Sequence, residues 1–289
     1  MLKSVQTLLT SIVDYAGLFP PARLGLRQAM ENYAQYGISA DAWLLGWFVL
    51  PLSQLDEFKG LLPEIPLKHW HLSLILPTEV EVAISRLQSC KIPEITIATL
   101  ELPPLSPTQI EQVGLRLPAD VETFFEIPLG TDWQPYFAAL KRVGAAAKVR
   151  MGGITVDAFP AAAELSCWIV SCAEAGVPFK ATAGLHHPLP ACHPVTYKSD
   201  SPSAAMQGFL NVAIASSLVY RQKITLEDTL EVLNQSSIEG FQFTEDSLSW
   251  HQYSLSLSDL EETRRQFFRS FGSCSFQEPI DDLRCLQLL

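Results

Sequence analysis

The sequence lacks the long apolar runs that membrane-spanning helices need. It contains no stretch of about 18 consecutive apolar residues, and Asp14 interrupts the apolar run near the N-terminus. The first absence argues against a transmembrane helix, and the early interruption argues against a secretory signal peptide. We therefore expect a cytoplasmic protein that has no membrane partner.

Basic residues are scarce relative to acidic ones. Lys and Arg total 20 against 31 Asp and Glu, which gives a formal net charge of −11. Such a surface repels phosphate backbones at long range, so we expect no nucleic acid partner. Charged residues make up only 18% of the chain. This low share leaves surface for partner subunits to cover and is consistent with a homo-oligomer.

The sequence also lacks a C-x-x-C pair. Six thiols scattered over 289 residues do not form the framework of a disulfide-stapled secreted domain, and they fit a reducing cytoplasm. The cysteines are Cys90, Cys167, Cys172, Cys192, Cys274 and Cys285.

Short apolar runs recur along the chain, and most are followed by an amphipathic stretch. Each run has the length of a buried strand rather than of a helix. Capping boxes at 78–81, 106–109 and 131–134 predict a helix after the third, fourth and fifth runs. Strands that alternate with helices pair in parallel, and eight of them predict an α/β protein with a single (β/α)8-barrel domain over residues 1–289. The predicted strands are 11–18, 43–50, 71–76, 95–100, 121–127, 145–151, 178–183 and 241–244.

The interval between the seventh and eighth predicted strands is long. It holds two predicted helices, over 203–221 and 226–234, and another helix is predicted over 259–270. The tail that follows this last helix is predicted to be irregular and to pack on the barrel or on a partner. An open, doubly wound sheet is the alternative fold.

Two lysines interrupt the sixth and seventh apolar runs. Lys148 and Arg150 share one face of the sixth strand, and Lys180 and Thr182 share one face of the seventh. The apolar faces should pack on helices, so these polar side chains should point into the barrel from adjacent strands. Two buried lysines repel, and the loss of one proton relieves the repulsion and creates a nucleophile for carbonyl groups. We expect Lys180 to keep Lys148 neutral.

A structural role for the two lysines is the alternative. Each could pair with an acid such as Glu101 or Glu126 and simply close the barrel interior. The protein would then be a non-catalytic binding or scaffold barrel. A filled pocket in which both lysines are ion-paired would favour this alternative.

The segments AKVRMGG (147–153) and FKATAGL (179–185) resemble the paired lysine strands of Schiff-base aldolases of the deoxyribose-phosphate aldolase type. The resemblance implies that Lys148 forms an imine with the substrate and that Lys180 tunes it. It also implies a carboxylate from an earlier strand that shuttles protons. In that family a glycine-rich phosphate pocket follows the last strand, whereas this chain has Thr-Glu-Asp-Ser at 244–247, which argues against a sugar phosphate. The candidates for the carboxylate are Asp14, Glu101 and Glu126.

Three longer phrases resemble those of a group of bacterial proteins, cyanobacterial-like and actinobacterial-like, whose activity is not assigned. This resemblance implies a bacterial origin and supplies no chemistry. The phrases are DYAGLFPPA (14–22), KATAGLHHP (180–188) and FGSCSFQEP (271–279).

Two adjacent histidines predict a different chemistry. His186 and His187 follow the seventh strand in a loop that prolines stiffen. With Asp14 or Glu126 from another strand end they could bind a divalent metal such as Zn²⁺ and leave a coordination position open for water. This arrangement would make the protein a metal-dependent barrel hydrolase. Histidines that only form hydrogen bonds within the loop are the structural alternative.

Further strand ends offer residues that could bind a substrate. Gly152 and Gly153 can present backbone N–H groups to an anion beside Arg150. Tyr15 and Thr182 are predicted to face the site from the first and seventh strands. We therefore expect a small substrate, a carbonyl-bearing or anionic metabolite, and carbon–carbon lyase chemistry that needs no cofactor. The predicted catalytic residues are Lys148, Lys180, Glu126 and Asp14.

Overall fold

The computed structural model describes residues 1–88 and 92–289, so that Cys90 lies outside the described residues. The α-helices are α1 (Lys3–Leu9), α2 (Leu26–Tyr36), α3 (Leu55–Leu61), α4 (Val80–Gln88), α5 (Pro107–Gly114), α6 (Gln134–Val143), α7 (Ala162–Ala175), α8 (Phe209–Tyr220), α9 (Leu226–Asn234), α10 (Leu257–Gln266) and α11 (Gln277–Cys285). The strands are β1 (Val13–Tyr15), β2 (Leu45–Pro51), β3 (Trp70–Ile75), β4 (Ile95–Leu102), β5 (Glu122–Glu126), β6 (Ala146–Arg150), β7 (Phe179–Thr182), β8 (Ala191–Pro194), β9 (Ser203–Met206), β10 (Phe241–Phe243), β11 (Ser247–Trp250), β12 (Tyr253–Ser256) and β13 (Phe268–Ser273).

Eight parallel strands close into a barrel, and helices surround it. The order around the barrel is β1, β2, β3, β4, β5, β6, β7 and β13. β6 and β7 are neighbours, and Lys148 lies directly opposite Lys180 in their register. The α/β barrel and the pairing of the two lysine strands are therefore confirmed.

The prediction of the eighth strand at 241–244 is wrong. Residues Phe241–Phe243 form β10, which belongs to a separate antiparallel sheet with β11 and β12. The strand that closes the barrel is β13, between β7 and β1. Because β13 contains the small residues Ser270 and Gly272 among its phenylalanines, it does not form a continuous apolar run. The tail that was expected to be irregular contains the end of β13 and all of α11.

The long interval between the last two barrel strands contains more than the predicted helices. The helices α8 and α9 are present, but residues 203–206 form β9, which pairs with β8 as an antiparallel hairpin. The helix α8 begins only after Gly208. It is buried almost all round, and it therefore serves as a core helix against the barrel.

The predicted capping boxes have different outcomes. The box at 106–109 forms, because the Ser106 hydroxyl accepts from the Gln109 backbone and the Gln109 side chain accepts from the Ser106 backbone. The box at 131–134 does not form, because Gln134 is itself the first residue of α6. The Glu81 side chain, which the box at 78–81 requires, lies outside the described part.

One helical stretch in the described ranges, residues 156–175, is long and apolar enough to cross a membrane by length and composition. It includes α7, whose buried face contains Leu165, Trp168 and Ile169. This helix packs against α8 and α9. It is therefore one of the outer helices of a compact barrel.

Glycines allow the loops after β6 and β7 to approach each other closely. Gly184 has a φ of +70°, and a Cβ atom there would lie 2.4 Å from the carbonyl oxygen of Met151. A Cβ atom on Gly152 would lie 2.8 Å from the Gly184 Cα and 2.5 Å from the Phe159 ring. The two strand ends that carry the lysines are thereby held together.

We predict that Gly184→Ala destabilises the protein by about 1–3 kcal/mol, because alanine is strained at positive φ and its methyl group would clash with backbone. The matched control is Gly60→Ala in α3, where an added Cβ meets nothing within 4 Å. This control should stabilise the protein by up to about 1 kcal/mol through helix propensity. Urea unfolding monitored by circular dichroism measures both effects. Equal effects of the two substitutions would contradict the role of Gly184.

Candidate functional site

The barrel interior holds a buried ion-pair network around Lys180. The Lys180 Nζ donates to Asp14 Oδ2 at 2.5 Å and to Glu101 Oε1 at 2.7 Å. Asp14 also accepts from the Ser270 hydroxyl at 2.6 Å and from the Trp47 backbone N–H at 2.9 Å. The three charged side chains are at most 2% exposed. Asp14 therefore holds the Lys180 ammonium group in the fully buried part of the barrel interior.

Lys148 belongs to the same network but shares both of its carboxylates with another cation. Its Nζ lies 3.1 Å from Glu101 Oε2 and 3.3 Å from Glu126 Oε2. Glu101 is also bound by Lys180, and Glu126 accepts from Arg150 at 3.0 and 3.2 Å. Three carboxylates thus face three cations, so the formal charges of the network cancel.

Glu101, on β4, links the two lysines. Besides both ammonium groups it accepts a hydrogen bond from the Ser73 hydroxyl at 2.7 Å, and Ser73 accepts one from Thr99. Burial alone would raise the pKa of Glu101, but the charges of Lys180 and Lys148 outweigh it and hold that pKa well below its usual value. Glu101 is therefore ionised at neutral pH.

A carboxylate, that of Glu101, lies between the two lysines. Burial favours the neutral form of Lys180, but the carboxylates of Asp14 and Glu101 outweigh burial and raise the pKa of Lys180. Lys180 stays protonated because acids from β1 and β4 lie beside it. The ion pairs that the structural alternative requires are thus present for Lys180 and also for Lys148.

A cavity of about 440 Å³ opens at the carboxyl ends of the barrel strands, which is where barrel enzymes bind substrates. Its polar lining includes Lys148, Glu101, Glu126, Arg150 and Thr182, whereas Lys180 and Asp14 do not line it. The interior is therefore open above Lys148. The filled pocket that a scaffold barrel would favour is not observed.

Two of the predicted substrate contacts do not reach this cavity. Tyr15 is 1% exposed, and its ring packs against Tyr33 and Tyr36 of α2. Because neighbouring side chains on a strand point to opposite faces, an inward Asp14 directs Tyr15 outward. Burial raises the pKa of Tyr15 to about 12. Gly153 lines the cavity, whereas Gly152 packs against the loop after β7.

The adjacent histidines pair with separate carboxylates. His186 Nδ1 lies 2.8 Å from Glu278 Oε2, and His187 Nδ1 lies 2.6 Å from Asp282 Oδ2. Both acids belong to α11. In residues 1–88 and 92–289, no three His, Cys, Asp or Glu side chains are grouped so that they could hold a metal ion. Of the two predicted acidic partners, Asp14 is bound to Lys180, and Glu126 is bound to Lys148 and Arg150.

Sequence reasoning missed several polar residues that line the cavity, and three of them matter for its chemistry. Cys274 follows β13, Glu278 lies in the first turn of α11, and Tyr197 follows β8. Cys274 and Glu278 both lie in the phrase FGSCSFQEP. They were missed because the segment before them was not recognised as a barrel strand, whose carboxyl end would have indicated the site.

The acidic stretch at 244–247 does not bear on phosphate binding. It forms the turn between β10 and β11, where the Ser4 hydroxyl of α1 donates to the Thr244 carbonyl at 2.7 Å. Because α1 precedes β1, this contact places the turn beside the amino end of the barrel. The predicted argument against a sugar phosphate therefore relied on the wrong strand.

Comparison of the chain with protein-family models, with curated proteins and with solved structures finds no match in any of the three. No relative therefore supplies an activity or a substrate. The aldolase-like activity that the resemblance implies therefore stays a prediction, and its support comes from the geometry of Lys148 and Lys180.

We predict that Glu101→Gln destabilises the protein by about 3–5 kcal/mol, because it leaves the ammonium groups of Lys148 and Lys180 without their shared carboxylate. The control is Glu111→Gln, which breaks an ion pair with the largely exposed Arg142 and should cost less than about 1 kcal/mol. Urea unfolding at pH 7 compares them. Similar losses from both variants would contradict a central role of Glu101.

The same carboxylate predicts a pH dependence. Since folding lowers the pKa of Glu101, its contribution to stability is complete above its pKa in the unfolded chain, about 4.3. That contribution is lost as the pH falls through the lowered pKa of the folded state. The unfolding free energy of the wild type should therefore fall more steeply below about pH 4 than that of Glu101→Gln. Parallel pH profiles of the two proteins would contradict the assignment.

Proposed function

We propose that the chain is a carbon–carbon lyase that forms a Schiff base between Lys148 and a small carbonyl compound. The observation that carries the proposal is the different placement of the two buried lysines. Lys180 is bound to Asp14 below the cavity, whereas Lys148 lines the cavity and shares both of its carboxylates with other cations. A lysine that faces an enclosed cavity beside proton acceptors has the surroundings that imine formation needs.

The reaction begins with transfer of a proton from Lys148 to a carboxylate, since an ammonium group is not a nucleophile. The neutral nitrogen attacks the carbonyl carbon, and the carbonyl oxygen takes up two protons and leaves as water, so that a protonated imine forms. A base then removes the proton of a hydroxyl group on the second carbon from the imine carbon, which weakens the bond between the first and second carbons. The carbon–carbon bond breaks, its electron pair moves into the imine, and a carbonyl fragment departs. Protonation of the resulting enamine at carbon and hydrolysis by water restore Lys148.

Glu126 is the proton shuttle in this proposal. It lies 3.3 Å from the Lys148 nitrogen and lines the cavity, so it can reach both the amine and a bound substrate. General acid–base catalysis of this kind contributes about 10²–10⁴-fold in rate. Glu101, whose pKa is held low, stays ionised and stabilises the positive charge of the imine where the ammonium charge stood before.

The surroundings of Lys148 support a small anionic substrate. Arg150 is 54% exposed in its side chain and lines the cavity two residues after Lys148, where its guanidinium can bind a carboxylate or phosphate group. Phe19, Ile154 and Phe159 provide apolar walls. We propose a small carbonyl-bearing metabolite of the cytoplasm as the substrate.

Ion pairing of both lysines is also what a scaffold barrel would show. The cavity above Lys148 supports the lyase proposal, because it leaves room for a substrate beside the Lys148 nitrogen. Chemical trapping distinguishes the two proposals in solution.

We predict that incubation with pyruvate, dihydroxyacetone or acetaldehyde followed by borohydride leaves one reduced adduct, because reduction converts the imine into a stable amine. Peptide mapping by mass spectrometry should place the adduct on Lys148. Lys148→Met should abolish it, and Glu126→Gln should slow its formation by about 10²-fold or more.

The matched control is Lys141→Met, which removes an exposed lysine of α6 and should leave the adduct unchanged. An adduct distributed over surface lysines, or one that persists in Lys148→Met, would refute the Schiff-base proposal. The absence of any adduct with all three compounds would favour a binding or scaffold barrel.

A further inference from the structure

A second group of reactive side chains lines the same cavity. The Cys274 sulfur lies 4.0 Å from His186 Nε2, and His186 Nδ1 lies 2.8 Å from Glu278 Oε2. The Tyr197 hydroxyl lies 3.7 Å from the same sulfur. All four residues line the cavity. They come from the loop after β7, the segment after β8, the end of β13 and the first turn of α11.

The order of these contacts is that of a nucleophile, a base and an orienting acid. The two ring nitrogens of His186 face different partners, the thiol on one side and the carboxylate on the other. A carboxylate in that position fixes the ring and stabilises its protonated form. Such contacts are often loose before a substrate binds, and a contact of 4.0 Å to sulfur is consistent with that state.

The charges around His186 place a cation beside the Cys274 sulfur. Burial alone would lower the pKa of His186, but its hydrogen bonds to Cys274 and Glu278 outweigh burial and raise that pKa to about 9. Contact with His186 likewise lowers the pKa of Glu278 against the opposing effect of burial. At neutral pH an imidazolium therefore lies beside the sulfur. Thiols next to a protonated histidine ionise readily.

We propose that Cys274 is a second nucleophile of this cavity and that it accepts the acyl group of a small thioester or activated ester. Cys274 is only 5% exposed, and it lines the cavity. Val195 and Met206 of the adjacent hairpin provide apolar surface for the acyl group. This activity goes beyond the Schiff-base reaction and does not depend on it.

The proposed reaction is hydrolysis in two steps. The Cys274 thiolate attacks the acyl carbon, and the tetrahedral intermediate expels a thiolate or alkoxide, which takes the proton of His186. Neutral His186 then removes a proton from water, which attacks the new thioester on Cys274. The Cys274 thiolate departs, a carboxylic acid is released, and His186 is again protonated. The Tyr197 hydroxyl can donate a hydrogen bond to the oxyanion in either step.

The first test uses p-nitrophenyl acetate. Wild-type protein should release a burst of about one equivalent of nitrophenolate and carry one acetyl group on Cys274, as expected for an acyl-enzyme. Cys274→Ser should lose the burst. The matched control is Cys192→Ser, which removes an exposed thiol of β8 and should retain it. Circular dichroism checks that each variant folds.

The second test needs no variant of Cys274. The rate of iodoacetamide alkylation, followed by peptide mapping, is measured against pH for Cys274 and for Cys192 in the same protein. Because an imidazolium beside a thiol favours its reactive thiolate form, Cys274 should react roughly 100-fold faster than Cys192 at pH 6. His186→Asn should remove most of this difference.

A burst that maps to the exposed cysteines, or the absence of a burst, would overturn the acyl-transfer proposal. Equal alkylation of Cys274 and Cys192 at pH 6 would overturn it as well, because the thiolate would then be missing. The outcome is separate from that of the Schiff-base proposal. Acetylation is mapped to Cys274 and borohydride reduction to Lys148, so that either can fail in wild-type protein while the other succeeds.

Discussion

The contact on which the site depends is the sharing of one carboxylate, that of Glu101, between the ammonium groups of Lys148 and Lys180. Glu101 extends from β4 across the interior to β6 and β7, and the Lys180 nitrogen also lies over the ring of Phe124, 5.4 Å from its centroid. Two buried ammonium groups on opposed positions of neighbouring strands would repel strongly in an apolar interior. The carboxylate of Glu101 attracts both ammonium groups, which offsets their mutual repulsion and fixes the positions of both nitrogens.

This sharing divides the barrel interior into a closed part and an open part. Lys180 has a second acid, Asp14, which Ser270 and the Trp47 backbone hold in place. The second acid of Lys148 is Glu126, which also binds the half-exposed Arg150 at the cavity. In the closed part, the charges and hydrogen bonds of Lys180 and Asp14 are therefore satisfied by protein groups alone. In the open part the ion pairs are next to an unfilled space, where a substrate can replace some of them.

The sequence could predict the barrel and the inward direction of both lysines, because strand alternation is a local property. It could not predict which acid meets which lysine, since the distance between β4 and β7 is set by closure of the whole barrel. Tyr15 was assigned to the wrong face because Asp14 and Tyr15 cannot both point inward. The last strand was missed because Ser270 and Gly272 interrupt its apolar pattern, and the residues after it, Cys274 among them, were missed with it.

The cavity is chemically asymmetric, and this asymmetry constrains how a substrate lies in it. The wall at β1, β2 and β3 is apolar and includes Phe19, Val49 and Ile75. The opposite wall, formed by β4 to β7 and β13, carries the charged groups and the two proposed nucleophiles, Lys148 and Cys274. Because an unpaired polar group is costly against an apolar wall, a bound carbonyl group would face the second wall. Both proposed reactions begin with attack on such a carbonyl carbon, so the same orientation of a bound molecule serves either nucleophile.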